Sequence, residues 1–183
     1  MPPLQSSMIP LGTECPDFDL PDPRGLRMSN RDARDRPLLV LFLCNHCPFV
    51  KHLRHEVAAI GRAYMPRGLA IAAISSNDER AFPADGPTKM IAEACDAGYC
   101  FPYLFDESQA VARAFDAQCT PDIFLFDSSH RLVYRGQLDD SRPKSEIPVT
   151  GKDLRAALDA VLEGRGVNPD QRPSVGCSIK WRA

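Results

Sequence analysis

No stretch of this sequence approaches the ~20 consecutive apolar residues that a membrane-spanning helix needs. Its opening, MPPLQSSMIPLG, has neither a basic start nor a long apolar core, so it lacks the pattern of a secretory leader. These two absences predict a cytoplasmic chain with no membrane partner. Charge of one sign is scarce as well. With 22 Lys and Arg against 24 Asp and Glu, the formal net charge is −2, which offers nothing to nucleic acid. A mixed-sign run at residues 31–36 (RDARDR) reads as a solvated loop or short helix. There is no glycine-rich phosphate loop, no serine elbow, no carboxylate dyad, no paired-histidine motif and no second CxxC.

What remains is a composition able to bury one core without staples. Hydrophobic residues make up 44% and charged residues 25% of 183 positions, so residues 1–183 are expected to form a single domain. Seven cysteines is an odd number, and a static disulfide framework would leave one unpaired. In a reducing compartment, thiols retained in this number point to chemistry.

The hydrophobic pattern predicts alternating elements. Pro21, Asp22, Pro23 and Gly25 lie between two short apolar pieces and suggest an N-terminal hairpin. Residues 38–44 (LLVLFLC) form a continuous apolar run, the mark of a strand buried on both faces. From Pro48 the period becomes helical: Val50, Leu53, Val57, Ile60 and Tyr64 share a face until Pro66 and Gly68 stop it. A second buried strand at 69–75, a helix at 87–97, a short strand at 103–105 and a short helix at 108–115 follow. Residues 123–126 and 131–137 read as a hairpin, and Thr150 as the N-cap of a helix ending at Gly164. Residues 165–183 read as an irregular tail. Parallel strands first and an antiparallel pair last predict an α/β fold, a mixed central sheet flanked by helices.

The segment LCNHCPF (43–49) then sits where a buried strand hands over to a helix. Cys47 would stand at the helix N-terminus, where unpaired N–H groups and the helix dipole favour a thiolate. Pro48 suits the first helical position, since its missing N–H would be unbonded anyway. Lys51 and Arg54, further along the helix, are candidates for added positive potential. His46 either reaches the Cys47 sulfur or faces solvent. Cys44, Cys47, Cys119 and a histidine could in principle make a tetrahedral zinc set. The missing second CxxC and paired histidines argue against it, so neither metal nor cofactor is expected.

Several segments together carry a family resemblance that spans about Gly12 to Trp181. GTECPDFDLPDPRG, CNHCPFVKH, FPYLFDESQAVARAF, CTPDIFLFD, LVYRGQLDDS and GCSIKW resemble the redoxin-domain, thioredoxin-like proteins of the alkyl hydroperoxide reductase/thiol-specific antioxidant family. The resemblance implies a thioredoxin fold and a thiol-based oxidoreductase. It implies disulfide or hydroperoxide substrates and a thiol reductant such as thioredoxin. Thioredoxins place a strand aromatic five residues before their first active cysteine. Phe42 stands in that relation to Cys47, which makes Cys47 the implied nucleophile and puts Val50 where the second thioredoxin cysteine would be. Peroxiredoxins carry a hydroxyl residue three before the same cysteine, and Cys44 replaces it here.

By the same resemblance Thr120–Pro121 is a cis bond beside the nucleophile, and Thr120, Pro121, His46 and Pro48 form the substrate-binding surface. Cys44 and Cys119 are candidates to resolve Cys47 by disulfide formation, or are merely packed. Cys177 is either a third resolver, or belongs to a tail that Ile179 and Trp181 anchor to the body. Cys15, Cys95 and Cys100 are expected to be structural.

Overall fold

The computed structural model describes residues 3–182. Its centre is a five-stranded sheet in the order β6-β5-β4-β8-β9. The strands are β4 (Leu38–Phe42), β5 (Ala70–Ser75), β6 (Tyr103–Phe105), β8 (Asp122–Phe126) and β9 (Leu132–Arg135). β4, β5 and β6 run parallel, while β8 opposes β4 and β9 opposes β8. This is the mixed sheet that the order of elements predicts.

Every side chain of β4 is buried, and strand alternation sends them to two cores. Leu39 and Leu41 meet the apolar faces of α1 (Pro48–Tyr64), α2 (Pro87–Ala97) and α4 (Lys152–Leu162). Leu38, Val40 and Phe42 meet the opposite layer, built from Phe18 and Leu20, α3 (Ala110–Ala114) and Phe115. Phe42 packs edge-on against Phe115 (5.4 Å between ring centroids) and Phe124 (5.8 Å). A strand covered on both faces must be apolar at every position, and LLVLF is.

The N-terminal hairpin is present as β2 (Asp19–Asp22) and β3 (Leu26–Ser29), and Asn30–Ala33, which overlaps the start of the mixed-charge run, forms a short 3-10 turn. Two expectations need correction. Thr150 does not cap α4. Gly151 does, with φ +65, and the N–H groups of Thr150 and Gly151 both donate to Asp139 Oδ2 at 2.6 Å. A Cβ at Gly151 would also meet Glu56 Oε1 at 2.7 Å. The tail, moreover, is not irregular throughout. Residues Val175–Ser178 form β10, which lies between β1 (Leu4–Gln5) and β7 (Cys119–Thr120) in a separate antiparallel sheet. Backbone pairing of this kind depends on a distant partner and leaves little trace in local periodicity.

Candidate active site

Phe42, the last residue of β4, pairs with Asp122, the first of β8. That register brings the CNHC turn and the Thr120–Pro121 bond to the same end of the sheet, and the bond is cis. Asp122 holds its end of the loop firmly. It forms a fully buried ion pair with Arg135, whose guanidinium also lies 3.7 Å from the centroid of the Phe124 ring, and it accepts the Gln118 N–H at 2.9 Å. Burial pushes the Asp122 carboxyl above its ordinary range against the pull of Arg135.

Cys47 is the N-cap of α1, with Pro48 at the first helical position. Its sulfur is fully buried and lies 3.1 Å from the Thr120 carbonyl oxygen. The Cys44 sulfur shares a 3.2 Å hydrogen bond with the Thr120 hydroxyl. Cys177 stands opposite Thr120 in the β7–β10 pair. Three thiols therefore converge around one residue.

Their acidities divide sharply. Hydrogen bonding from the Cys44 thiol is the largest influence on Cys47. Burial opposes it, and the Cys177 thiol and the N–H groups of Val50 and Cys177 add to it, so that Cys47 falls to about 5. The Thr120 carbonyl, 3.1 Å from the sulfur, accepts from the protonated form and so opposes these influences. Cys44 is driven far upward, mainly because it donates that hydrogen bond and is itself buried. Cys177 is pushed up to about 12 by burial and its bond to Cys47. Cys119 is also raised, by burial and by Asp122.

The expected neighbours separate into those that arrive and those that do not. Cys44, Cys47, Pro48, Thr120 and Pro121 come together as predicted. Cys119 lies in the adjoining strand with its sulfur toward the Pro121 carbonyl (3.6 Å), and neither its thiol nor its N–H is among the donors that lower Cys47. His46 takes neither of its expected positions. Its ring bonds Asp85 through Nδ1 (2.6 Å) and stacks on Phe82 at 5.4 Å and 12°. Arg54 is engaged by Glu93, and hydrogen bonds, not cations, lead the causes acting on Cys47. Cys15 is buried as expected, but Cys95 and Cys100 are exposed rather than packed.

Asp85 is the residue that the sequence reading missed. It is fully buried under the CNHC turn. Its oxygens accept the Asn45 N–H (2.8 Å), the His46 N–H (3.3 Å) and the Asn77 amide (2.8 Å) in addition to the His46 ring. Burial raises its pKa, but these bonds outweigh that and hold the carboxyl below its usual range. Asn45 is fixed further by the Tyr103 hydroxyl (2.9 Å) and by its own bond to the Ala84 carbonyl. An Asp before Gly–Pro reads as turn chemistry, and no local signal reveals that it reaches forty residues back.

Cys44, His46 and Asp85 place one donor atom each within 4.8 Å of one another, so these three residues could hold a metal ion. Cys119, a member of the zinc set weighed from sequence, is not among them. The carboxylate already carries four hydrogen bonds, and the Cys44 thiol is engaged by Thr120 and Cys47, so binding would have to displace these contacts.

A mixed sheet flanked by helices, a cysteine capping the helix after the first central strand, and a cis-proline loop across from it define a thioredoxin-fold protein. The AhpC/TSA family model matches residues 11–135, and the chain belongs to that family. It is similar along its whole length to an uncharacterized conserved protein from Geobacillus kaustophilus (52% identity, TM-score 0.97, covering 100% of this chain and 97% of that one). A hypothetical protein from Sinorhizobium meliloti 1021 is similarly close (50%, TM-score 0.96, 98% of each chain). A thiol:disulfide interchange protein from Chlorobium tepidum TLS shares the fold at 16% identity (TM-score 0.66, 82% of this chain and 97% of that one). No curated protein matches the chain. Among the described residues no helix is long and apolar enough to cross a membrane.

Proposed function

We propose that this protein is a thiol–disulfide oxidoreductase in which the Cys47 thiolate is the nucleophile. The single observation carrying this reading is the position of the Cys47 sulfur, at the N-terminus of α1 and 3.1 Å from the Thr120 carbonyl of the cis-proline loop, with Cys44 bonded to the Thr120 hydroxyl beside it. Cys47 attacks a disulfide sulfur and forms a mixed disulfide as the first thiolate leaves. A second protein thiol then displaces the remaining half and closes an internal disulfide. Cys44 is the first choice for that step, because it hydrogen-bonds the Cys47 sulfur and sits three residues away. Cys177 is a second choice, since it stands opposite Thr120 in the β7–β10 pair and interacts with the same sulfur. A thiol reductant such as thioredoxin would restore the dithiol, and the cytoplasm is the proposed compartment.

Peroxide reduction is the reading that the family favours instead. It needs a hydroxyl beside the nucleophile to align the peroxide, and the nearby Thr120 hydroxyl is bound to Cys44. Losing one such positioning bond costs about two to three decades in rate. Stopped-flow mixing of the reduced protein with hydrogen peroxide and with a small disulfide separates the two readings. We expect faster reaction with the disulfide, and a peroxide rate typical of dedicated peroxidases would refute the assignment.

A further inference from the structure

We infer that the C-terminal strand closes this site to extended polypeptide and reserves it for small-molecule disulfides. The inference rests on the reading of Cys47 as nucleophile and adds the class of substrate.

A disulfide carried by an extended peptide reaches a sulfur beside a strand edge most readily by adding to that edge, through main-chain hydrogen bonds. The edge beside Cys47 is β7, because the Thr120 carbonyl is 3.1 Å from the Cys47 sulfur. That lane is taken. β10 pairs there in antiparallel register, Cys177 with Thr120 and Ser178 with Cys119. The fit is backbone on backbone, since a Cβ at Gly176 would stand 2.0 Å from the Thr120 oxygen. β10 has no second free edge to offer either, as β1 pairs with its other side at Gly176 and Val175.

The strap is fastened at both ends. Before the strand, the Ser174 hydroxyl donates to the Pro121 carbonyl (2.9 Å), and the Ser174 backbone exchanges bonds with Ser6. After it, Ile179 is buried in the second core. The Lys180 N–H donates to Asn77 Oδ1 (2.8 Å), and Arg182 pairs with Asp78 and Glu79. Cys47 is fully buried beneath this strap, whereas Cys177 is partly exposed. A small disulfide needs no strand edge to pair with. A peptide has a riveted strand to displace.

The chemistry balances without another reactant. Two protein thiols and RSSR give one protein disulfide and two RSH, with two electrons passing to the substrate and the two protons following them.

The test is a single-turnover comparison of reduced protein with 2-hydroxyethyl disulfide and with insulin, with Cys47 oxidation followed by maleimide trapping and mass spectrometry. We expect the small disulfide to oxidise Cys47 at least about tenfold faster, the value of one to two ladder hydrogen bonds. Gly176→Ala, which forces β10 away from Thr120, should raise the ratio of the insulin rate to the small-disulfide rate by about the same factor, and the ratio cancels any change in Cys47 reactivity that comes from moving Cys177. If that variant does not fold, Arg182→Ala loosens the strap from its far anchor and should move the ratio in the same direction. Equal wild-type rates, or an insulin-to-small-disulfide ratio unmoved in a folded variant, would overturn the inference alone. A Cys47 inert to both disulfides would overturn the underlying reading and the inference with it.

Discussion

Replacing Cys44 by alanine removes the largest influence on the Cys47 thiolate without touching the helix that carries it. A hydrogen bond to a charged group contributes about 1.5–3 kcal/mol, and one pKa unit is about 1.4 kcal/mol, so its loss corresponds to an upward shift of about 1–2 units. From about 5 in the wild type, Cys47 should therefore titrate near 6–7 in Cys44→Ala. Cys44→Ser keeps a donor in place and should remain close to wild type, even though it can no longer form a disulfide. The assay is thiolate absorbance at ~240 nm against pH, in a background with the exposed Cys95 and Cys100 replaced by serine. The two substitutions thus separate hydrogen bonding from disulfide formation. An unchanged midpoint in Cys44→Ala would refute the account of the low pKa, and an equal rise in both variants would show that the sulfur itself, not a donor, is what matters. The same shift also sets a stability profile. The folded pKa of Cys47 lies below the ordinary thiol value of 9.0, so its contribution is complete above pH 9 and is lost as pH falls through about 5. Relative to Cys47→Ser, reduced wild type should gain stability between pH 5 and 9. Urea melts showing no pH dependence in that difference would contradict the thiolate.

Three further outcomes are expected. Arg135→Ala strands the buried Asp122 carboxylate at the foot of the cis-proline loop and should cost about 3–5 kcal/mol in urea unfolding; a loss under about 1 kcal/mol would show that the pair is dispensable. Asp85→Asn should destabilise by about 1–3 kcal/mol at neutral pH. Because the Asp85 pKa is held below 3.8, that difference should persist above pH 4 and narrow only in stronger acid, and narrowing near neutrality would break the argument. Cys119→Ser should leave intramolecular disulfide formation intact, while Cys44→Ser should abolish or slow it; a disulfide surviving at full yield in the Cys44 variant would move the resolving role to Cys177, as non-reducing peptide mapping would reveal.

Much of this protein is legible locally. The apolar run of β4 and the 3.6-residue period of α1 are written in neighbouring residues, because a doubly covered strand and a one-sided helix each impose a short-range pattern. Predicted and observed limits agree for Pro48–Tyr64 and Pro87–Ala97. Proline inside each start and glycine near each end are local stop signs. The position of Cys47 follows from the same pattern, and its pairing with a Thr–Pro loop from the family resemblance. The surroundings of the sulfur were not legible. Asp85 reaches Asn45 and His46 across about forty residues, and Cys177 faces Thr120 across more than fifty. Such contacts depend on which loops the β4–β8 register and the β7–β10 pairing bring together. Local sequence reports what a segment tends to become. What drives the Cys47 pKa down and covers the sulfur is the meeting of its own turn with the Thr120 loop and with Cys177 from the far end of the chain, and only the folded chain can supply that.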